Sequence, residues 1–129
     1  MKVLNFEDSV YKANAIRKVL NQCGVAKIEL VSNVEDGLQM LKNAEDTGDP
    51  FDLIITDMHY PMKQGAVSDT EAGEKLVQLL QELSKQTKVI VCSSRNMKLP
   101  GVYGCIWYSE ISDWEEELCD LVREMEKNR

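Results

Sequence analysis

The sequence predicts an α/β fold in which a parallel sheet is wound by helices on both faces, and three observations carry that prediction. Apolar runs short enough to be strands alternate with stretches whose apolar residues recur every three or four positions, the pattern of repeated strand-helix units. The run Lys88 to Cys92, KVIVC, is nearly pure apolar rather than alternating, as suits a strand buried on both sides. The length of 129 residues matches one domain, expected to span 1–129 with no output domain after it, and is enough for a hydrophobic core without metal or disulfide staples.

Taken in order, Lys2 to Phe6 is the first strand. Ser9 then caps a helix that gathers Ala13, Ile16, Leu20 and Cys23 on one face and ends at Gly24. Lys27 to Val31 is the second strand. Ser32 followed by Glu35 makes a capping-box pattern that opens a second helix, with Val34, Leu38, Leu41 and Ala44 inward and Gly48 and Pro50 closing it. Phe51 to Thr56 is the third strand, and the polar stretch Met62 to Gly73 after it reads either as a flexible cover near the strand ends or as an inert insertion. Ala72, Leu76, Leu79, Leu80 and Leu83 mark the third helix, Lys88 to Cys92 the fourth strand and Gly104 to Tyr108 the fifth. Ser112 with Glu115 is a further capping-box pattern, opening a last helix lined by Trp114, Leu118, Leu121, Val122 and Met125. Its acids come early and Arg123, Lys127 and Arg129 late, as the helix dipole prefers.

Composition narrows the function classes. With 43% apolar and 29% charged residues and no apolar run of membrane length, the chain reads as soluble, without membrane insertion. Met1 to Phe6 lacks the basic start and apolar run of a signal peptide, so a cytoplasmic setting is expected. Cys23, Cys92, Cys105 and Cys119 form no CxxC and have no histidine pair nearby, and read as small buried apolar residues rather than a zinc or redox site. A net charge of −7 argues against direct contact with nucleic acid, which usually calls for a basic face.

In a doubly wound sheet, sites form at the carboxyl ends of the strands. Those ends carry Glu7 and Asp8 after the first strand, Asp57 after the third, Ser93 and Ser94 after the fourth, and Tyr108 and Ser109 after the fifth. Three carboxylates held close repel one another unless a cation lies among them, and Mg²⁺ suits such a set because it takes oxygen ligands and keeps several waters. With a cation in place, Asp57 is positioned to attack a phosphoryl group as a carboxylate nucleophile. The bland alternative is that Glu7 and Asp8 serve the dipole of the first helix and Asp57 begins a loop.

The blocks VLNFEDS, SNVEDGLQML, DLIITDMHYPMKQG and VIVCSS, in this order over essentially the whole chain, resemble a CheY-like response-regulator receiver domain. The resemblance implies a flavodoxin-like five-stranded parallel sheet of order 2-1-3-4-5. It implies Mg²⁺ held by Glu7, Asp8, Asp57 and the backbone carbonyl of His59, with phosphorylation at Asp57. It also makes Ser93 the hydroxyl that binds a phosphoryl oxygen, fits Pro61 and Gly65 to the family's loop, and gives His59 and Arg95 a role in tuning acyl-phosphate lifetime. For Ser93, His59 and Arg95 the plainer readings are a small residue ending a buried strand and two solvated loop side chains.

The sequence departs from the family in two places. Receivers carry a lysine at the end of the fifth strand, whereas GCIWYSEIS has Tyr108 or Ser109 there and no fixed positive charge. Lys63, Lys98 and Arg95 are loop cations that read as exposed. Pro100, Gly101 and Gly104 crowd the stretch from Ser93 to Tyr108, so the fourth helix is expected to be short or absent and the face that dimerises or docks partners to be reshaped.

The function that follows is a stand-alone response regulator in two-component phosphorelay signalling, a phosphoprotein that takes its phosphoryl group from a sensor histidine kinase or phosphotransfer protein. It would signal by contact with a downstream protein or as a homodimer. It would be no enzyme beyond self-phosphorylation from a phosphodonor and autodephosphorylation. The alternative is a pseudo-receiver, an interaction module that is not phosphorylated. A phosphatase with an aspartate nucleophile would want a second acid where His59 stands.

Overall fold

The computed structural model describes residues 1–83 and 86–128, with the backbone but not the side chain of Leu83. The expected inward place of Leu83 and the charge of Arg129 therefore lie outside the described residues. Strands β1 (Lys2–Phe6), β2 (Lys27–Val31) and β3 (Leu53–Thr56) are separated by helices α1 (Val10–Gln22) and α2 (Val34–Asp46). A two-residue pair, β4 (Tyr60–Pro61) and β5 (Ser68–Asp69), precedes α3 (Ala72–Leu83), and β6 (Lys88–Ser93), β7 (Gly104–Trp107) and α4 (Trp114–Lys127) complete the chain.

The strands β2-β1-β3-β6-β7 form one parallel sheet, which is the expected order once the short β4-β5 ribbon is set aside. Central strands β1, β3 and β6 are buried almost throughout, while β2, at an edge, exposes most of its residues. Burial on both faces is what the continuous apolar runs encode.

Each face has its own core. On one, Ile16, Val19 and Leu20 of α1 meet Leu118, Val122 and Met125 of α4 over Val3, Ile55, Ile90 and Ile106. On the other, α2 and α3 cover Leu4, Phe6, Ile54 and Val89 with Val34, Ala44, Leu76 and Leu80. Fully burying a side chain of this size contributes roughly 1.5–3 kcal/mol, so either core can anchor its helices firmly.

Several local expectations are corrected. Ser9 does cap α1, its hydroxyl accepting from the Lys12 N–H, but α2 is capped by Asn33, whose Oδ1 accepts from the Asp36 N–H, not by Ser32. Before α4 the capping residue is Asp113 without a side-chain bond. Ser112 is diverted because its hydroxyl donates to the carbonyls of Trp107 and Ser109. The stretch Met62 to Gly73 is anchored at Ser68–Asp69 (β5), which pairs with Tyr60–Pro61 (β4) just before it, and Tyr60 is fully buried. From Ser94 to Tyr103 there is no helix, in line with the crowded Pro and Gly residues.

The cysteines differ most from expectation. Cys23 and Cys119 are not separate buried residues but form a disulfide, because α1 and α4 pack side by side and bring their Cα atoms to 5.7 Å. Cys92 is a free, buried thiol as expected, and Cys105 is free and half-buried. No described helix is long and apolar enough to cross a membrane.

Candidate functional site

At the carboxyl edge of the sheet, Glu7 and Asp57 leave neighbouring strands side by side. The Glu7 N–H continues the sheet pattern by donating to the Val31 carbonyl, and the Asp57 N–H donates to the Phe6 carbonyl at 3.1 Å. Carboxylate oxygens of Glu7, Asp8 and Asp57 come within 4.8 Å of one another. Glu7 is buried, Asp57 half-buried and Asp8 exposed, so the cluster runs from the interior to the surface.

The backbone holds each acid. The Ser9 N–H donates to Glu7 Oε2 and the Met58 N–H to Asp57 Oδ1, each fixing one oxygen of its carboxylate. The Thr56 hydroxyl bridges the Asp57 carbonyl and the hydroxyl of buried Tyr60. Gly73, at the start of α3, lies so close that a Cβ there would stand 2.5 Å from the Asp57 carbonyl oxygen and 2.8 Å from the Met58 sulfur. Only glycine lets α3 approach the acid-bearing loop this closely.

A lysine enters the same pocket. Lys12 lies on the buried face of α1, and its Nζ donates to the Cys92 carbonyl at 2.6 Å while pairing with Glu7 Oε1 at 3.0 Å and Asp57 Oδ1 at 3.3 Å. The Tyr108 ring centroid lies 5.2 Å from this ammonium and 4.9 Å from the Trp114 ring, which closes the pocket on the α4 side.

Electrostatics favour a positive charge beside Glu7 and Asp57. Burial raises the proton affinity of Glu7 and the Asp57 charge adds to it, against the pull of Lys12. Burial by itself would loosen the proton on Lys12, but its negative surroundings outweigh this and hold the ammonium more firmly than usual. Because burial pushes the Cys92 thiol up to about 12, that sulfur is neutral near pH 7, and the two carboxylates hold Lys12 charged.

The donor set fits a hard divalent cation such as Mg²⁺: it is all oxygen, and the buried Glu7 Oε1, ion-paired with Lys12 at 3.0 Å, has no hydrogen-bond partner among the described residues.

The comparisons with known proteins bear on this arrangement. No family model and no curated protein matches the sequence, but solved structures align along nearly its full length. The signal receiver domain of an HD domain-containing protein from Pseudomonas fluorescens Pf-5 superposes at a TM-score of 0.73, with 15% identity over 98% of this chain and 94% of the other. The N-terminal domain of a response regulator/sensory box/GGDEF protein from Carboxydothermus hydrogenoformans gives 0.69, with 20% identity over 99% and 95%. The phosphorylated cyanobacterial phytochrome response regulator RcpA gives 0.68, with 16% identity over 98% and 91%. The chain has the receiver-domain fold.

Against that fold, the receiver-like residues fall as follows. Ser93 closes β6, buried, its Oγ accepting from the Arg95 N–H at 3.1 Å, while the Arg95 side chain is exposed. His59 follows Asp57 in the loop, half-buried, its Nε2 enclosed without a hydrogen-bond partner among the described residues. Tyr108 leaves β7 with its N–H on the Ser93 carbonyl and its ring over Lys12. Ser109 turns away into the loop, accepting from the Ile111 N–H. Lys63, Arg95 and Lys98 are exposed, and among the described residues the cation paired with the acids is Lys12.

Sequence reasoning missed Lys12. The signal was there, because positions 12, 16 and 20 follow the four-residue spacing of one helical stripe, and a lysine in that stripe next to Ile16 and Leu20 is out of place unless something pairs with it.

Proposed function

We propose that this chain is a receiver of two-component phosphorelay signalling, set in the cytoplasm, which accepts a phosphoryl group at Asp57 in an Mg²⁺-dependent reaction and signals by protein contact. The observation that carries the reading is the cluster of Glu7, Asp8 and Asp57 oxygens within 4.8 Å at the carboxyl edge of a receiver fold. The donor would be a sensor histidine kinase or a phosphotransfer protein. Domains of both response regulators and a histidine kinase are among the solved structures of similar fold.

In this reading Glu7, Asp8 and Asp57 hold Mg²⁺, with the His59 carbonyl as a further ligand. The ion would neutralise charge on the transferring phosphoryl oxygens. Asp57 Oδ1 is held by the Met58 N–H, so the other carboxylate oxygen attacks phosphorus as the donor's bond to phosphorus breaks and its leaving group departs with the electron pair. The Ser93 hydroxyl, now engaged by the Arg95 N–H, would turn to a phosphoryl oxygen, and His59 and Arg95 would set how readily water reaches the acyl phosphate.

The test is intact mass after incubation with Mg²⁺ and acetyl phosphate, beside Asp57→Asn. One labile phosphoryl group is expected in the parent protein and none in the variant or without Mg²⁺.

A second reading, the pseudo-receiver, is favoured by the missing helix between β6 and β7 and by Tyr108 at the end of β7. Mg²⁺ binding seen by tryptophan fluorescence with no gain of mass would select it.

A further inference from the structure

Building on the receiver reading above, we propose that Lys12 is the fixed cation of the phosphoryl-acceptor site, delivered from helix α1 in place of the lysine missing from the end of β7. Charge at this point of the pocket is useful only if it is held before the reaction begins, because a preorganised cation in a site shielded from water needs no rearrangement as negative charge develops.

Lys12 meets that condition. Its side chain is only 9% exposed, and three oxygens on separate elements hold its Nζ: Cys92 O on β6, Glu7 Oε1 after β1 and Asp57 Oδ1 after β3. Tyr108 supplies the lid. At the position where a strand-end lysine would stand, its ring lies over an ammonium delivered from α1.

The exchange is consistent with local geometry. Lys12 follows Asp8 by four positions, one turn into a helix whose N-cap is Ser9, so the chain segment carrying two of the acids also carries the cation. A lysine at the end of β7 would have to share this space with Lys12. Tyr108 contributes a ring face that stabilises one positive charge instead of adding a second.

During transfer the ammonium keeps its proton. It stays paired with Asp57 Oδ1 and gains a transferring phosphoryl oxygen as a partner. The oxygen-phosphorus bond forms at Asp57, the acetate-phosphorus bond breaks, and acetate leaves with the electron pair.

The experiment compares the parent protein with Lys12→Gln, Lys12→Arg and the double variant Lys12→Met/Tyr108→Lys. It measures acetyl-phosphate-driven mass gain, the Mg²⁺ half-saturation of tryptophan fluorescence, and thermal melting. Lys12→Gln keeps a donor for the Cys92 carbonyl and guards against misfolding. It is expected to slow phosphoryl gain on the order of 100-fold. It should also bind Mg²⁺ several-fold more tightly, since the ammonium no longer competes for Glu7 and Asp57, and slower transfer despite tighter Mg²⁺ binding is a combination that a merely structural lysine would not produce. Lys12→Arg, which keeps the charge, should lose less than Lys12→Gln, and the double variant should recover part of the rate by restoring a lysine on β7.

A folded Lys12→Gln with the parent's rate and Mg²⁺ affinity overturns the proposal and leaves the receiver reading standing. A parent protein that gains no phosphoryl group under conditions where Mg²⁺ binds overturns both.

Discussion

The two faces of the sheet hold their helices in different ways. On one, α1 and α4 are joined by the Cys23–Cys119 disulfide and share a core with Trp114, Leu118 and Val122, and this face delivers Lys12 to the pocket. On the other, α2 and α3 rely on packing, the Ser94 to Tyr103 connection adds no helix, and α3 approaches the site through Gly73. The face that positions a charged group is covalently tied, and the face that supports the acid-bearing loop depends on close backbone approach. A buried ammonium tolerates little displacement, because its ion pairs weaken with distance while its desolvation cost stays.

The largest change that would break this contrast is loss of the staple. The bond closes a loop with a sequence separation of 96. Cys119→Ser should therefore lower the free energy of unfolding by about 4 kcal/mol, measured by urea denaturation without reductant. A loss below about 1 kcal/mol would mean that packing alone holds α1 to α4. The bond also bears on the setting, since a reducing cytoplasm keeps such pairs as thiols and would weaken this face first.

The same comparison is sharpened on the other face by Gly73→Ala. A methyl group cannot sit 2.5 Å from the Asp57 carbonyl, so α3 or the loop must shift. We expect a cost of about 2–3 kcal/mol together with weaker Mg²⁺ binding, read by thermal melting and tryptophan fluorescence. Unchanged values for both would show that α3 does not brace the site.

The smallest effect distinguishes two neighbouring residues at the start of α2. Asn33→Ala should cost about 1 kcal/mol through loss of the bond to the Asp36 N–H, while Ser32→Ala should leave the melting temperature unchanged. Equal effects would return the cap to the Ser32-Glu35 pattern.

Much of the molecule could be read in the chain. The continuous apolar run of β6 marks a strand buried on both sides, Ser9 and Gly24 bound α1, and the acids at the ends of β1 and β3 sit on strands that pair. Each of these is written over a few adjacent residues, where periodicity and capping chemistry act. The competing caps show where such reading fails: Ser32 and Asn33, or Ser112 and Asp113, offer chemically similar oxygens, and only the path of the backbone chooses between them.

The sequence by itself determined the strand-helix alternation, the parallel sheet and the three acids at its carboxyl edge, because these follow from local pattern and from the rule that places sites at strand ends. Tertiary structure decided the partners: Cys23 with Cys119, Gly73 with the Asp57 carbonyl, and Lys12 with Glu7, Asp57 and the lid of Tyr108. Most of these pairs join residues far apart along the chain. Even Glu7 and Lys12, five positions apart, are matched by how α1 seats against the sheet, because the energy of burying a charge depends on every element that surrounds it.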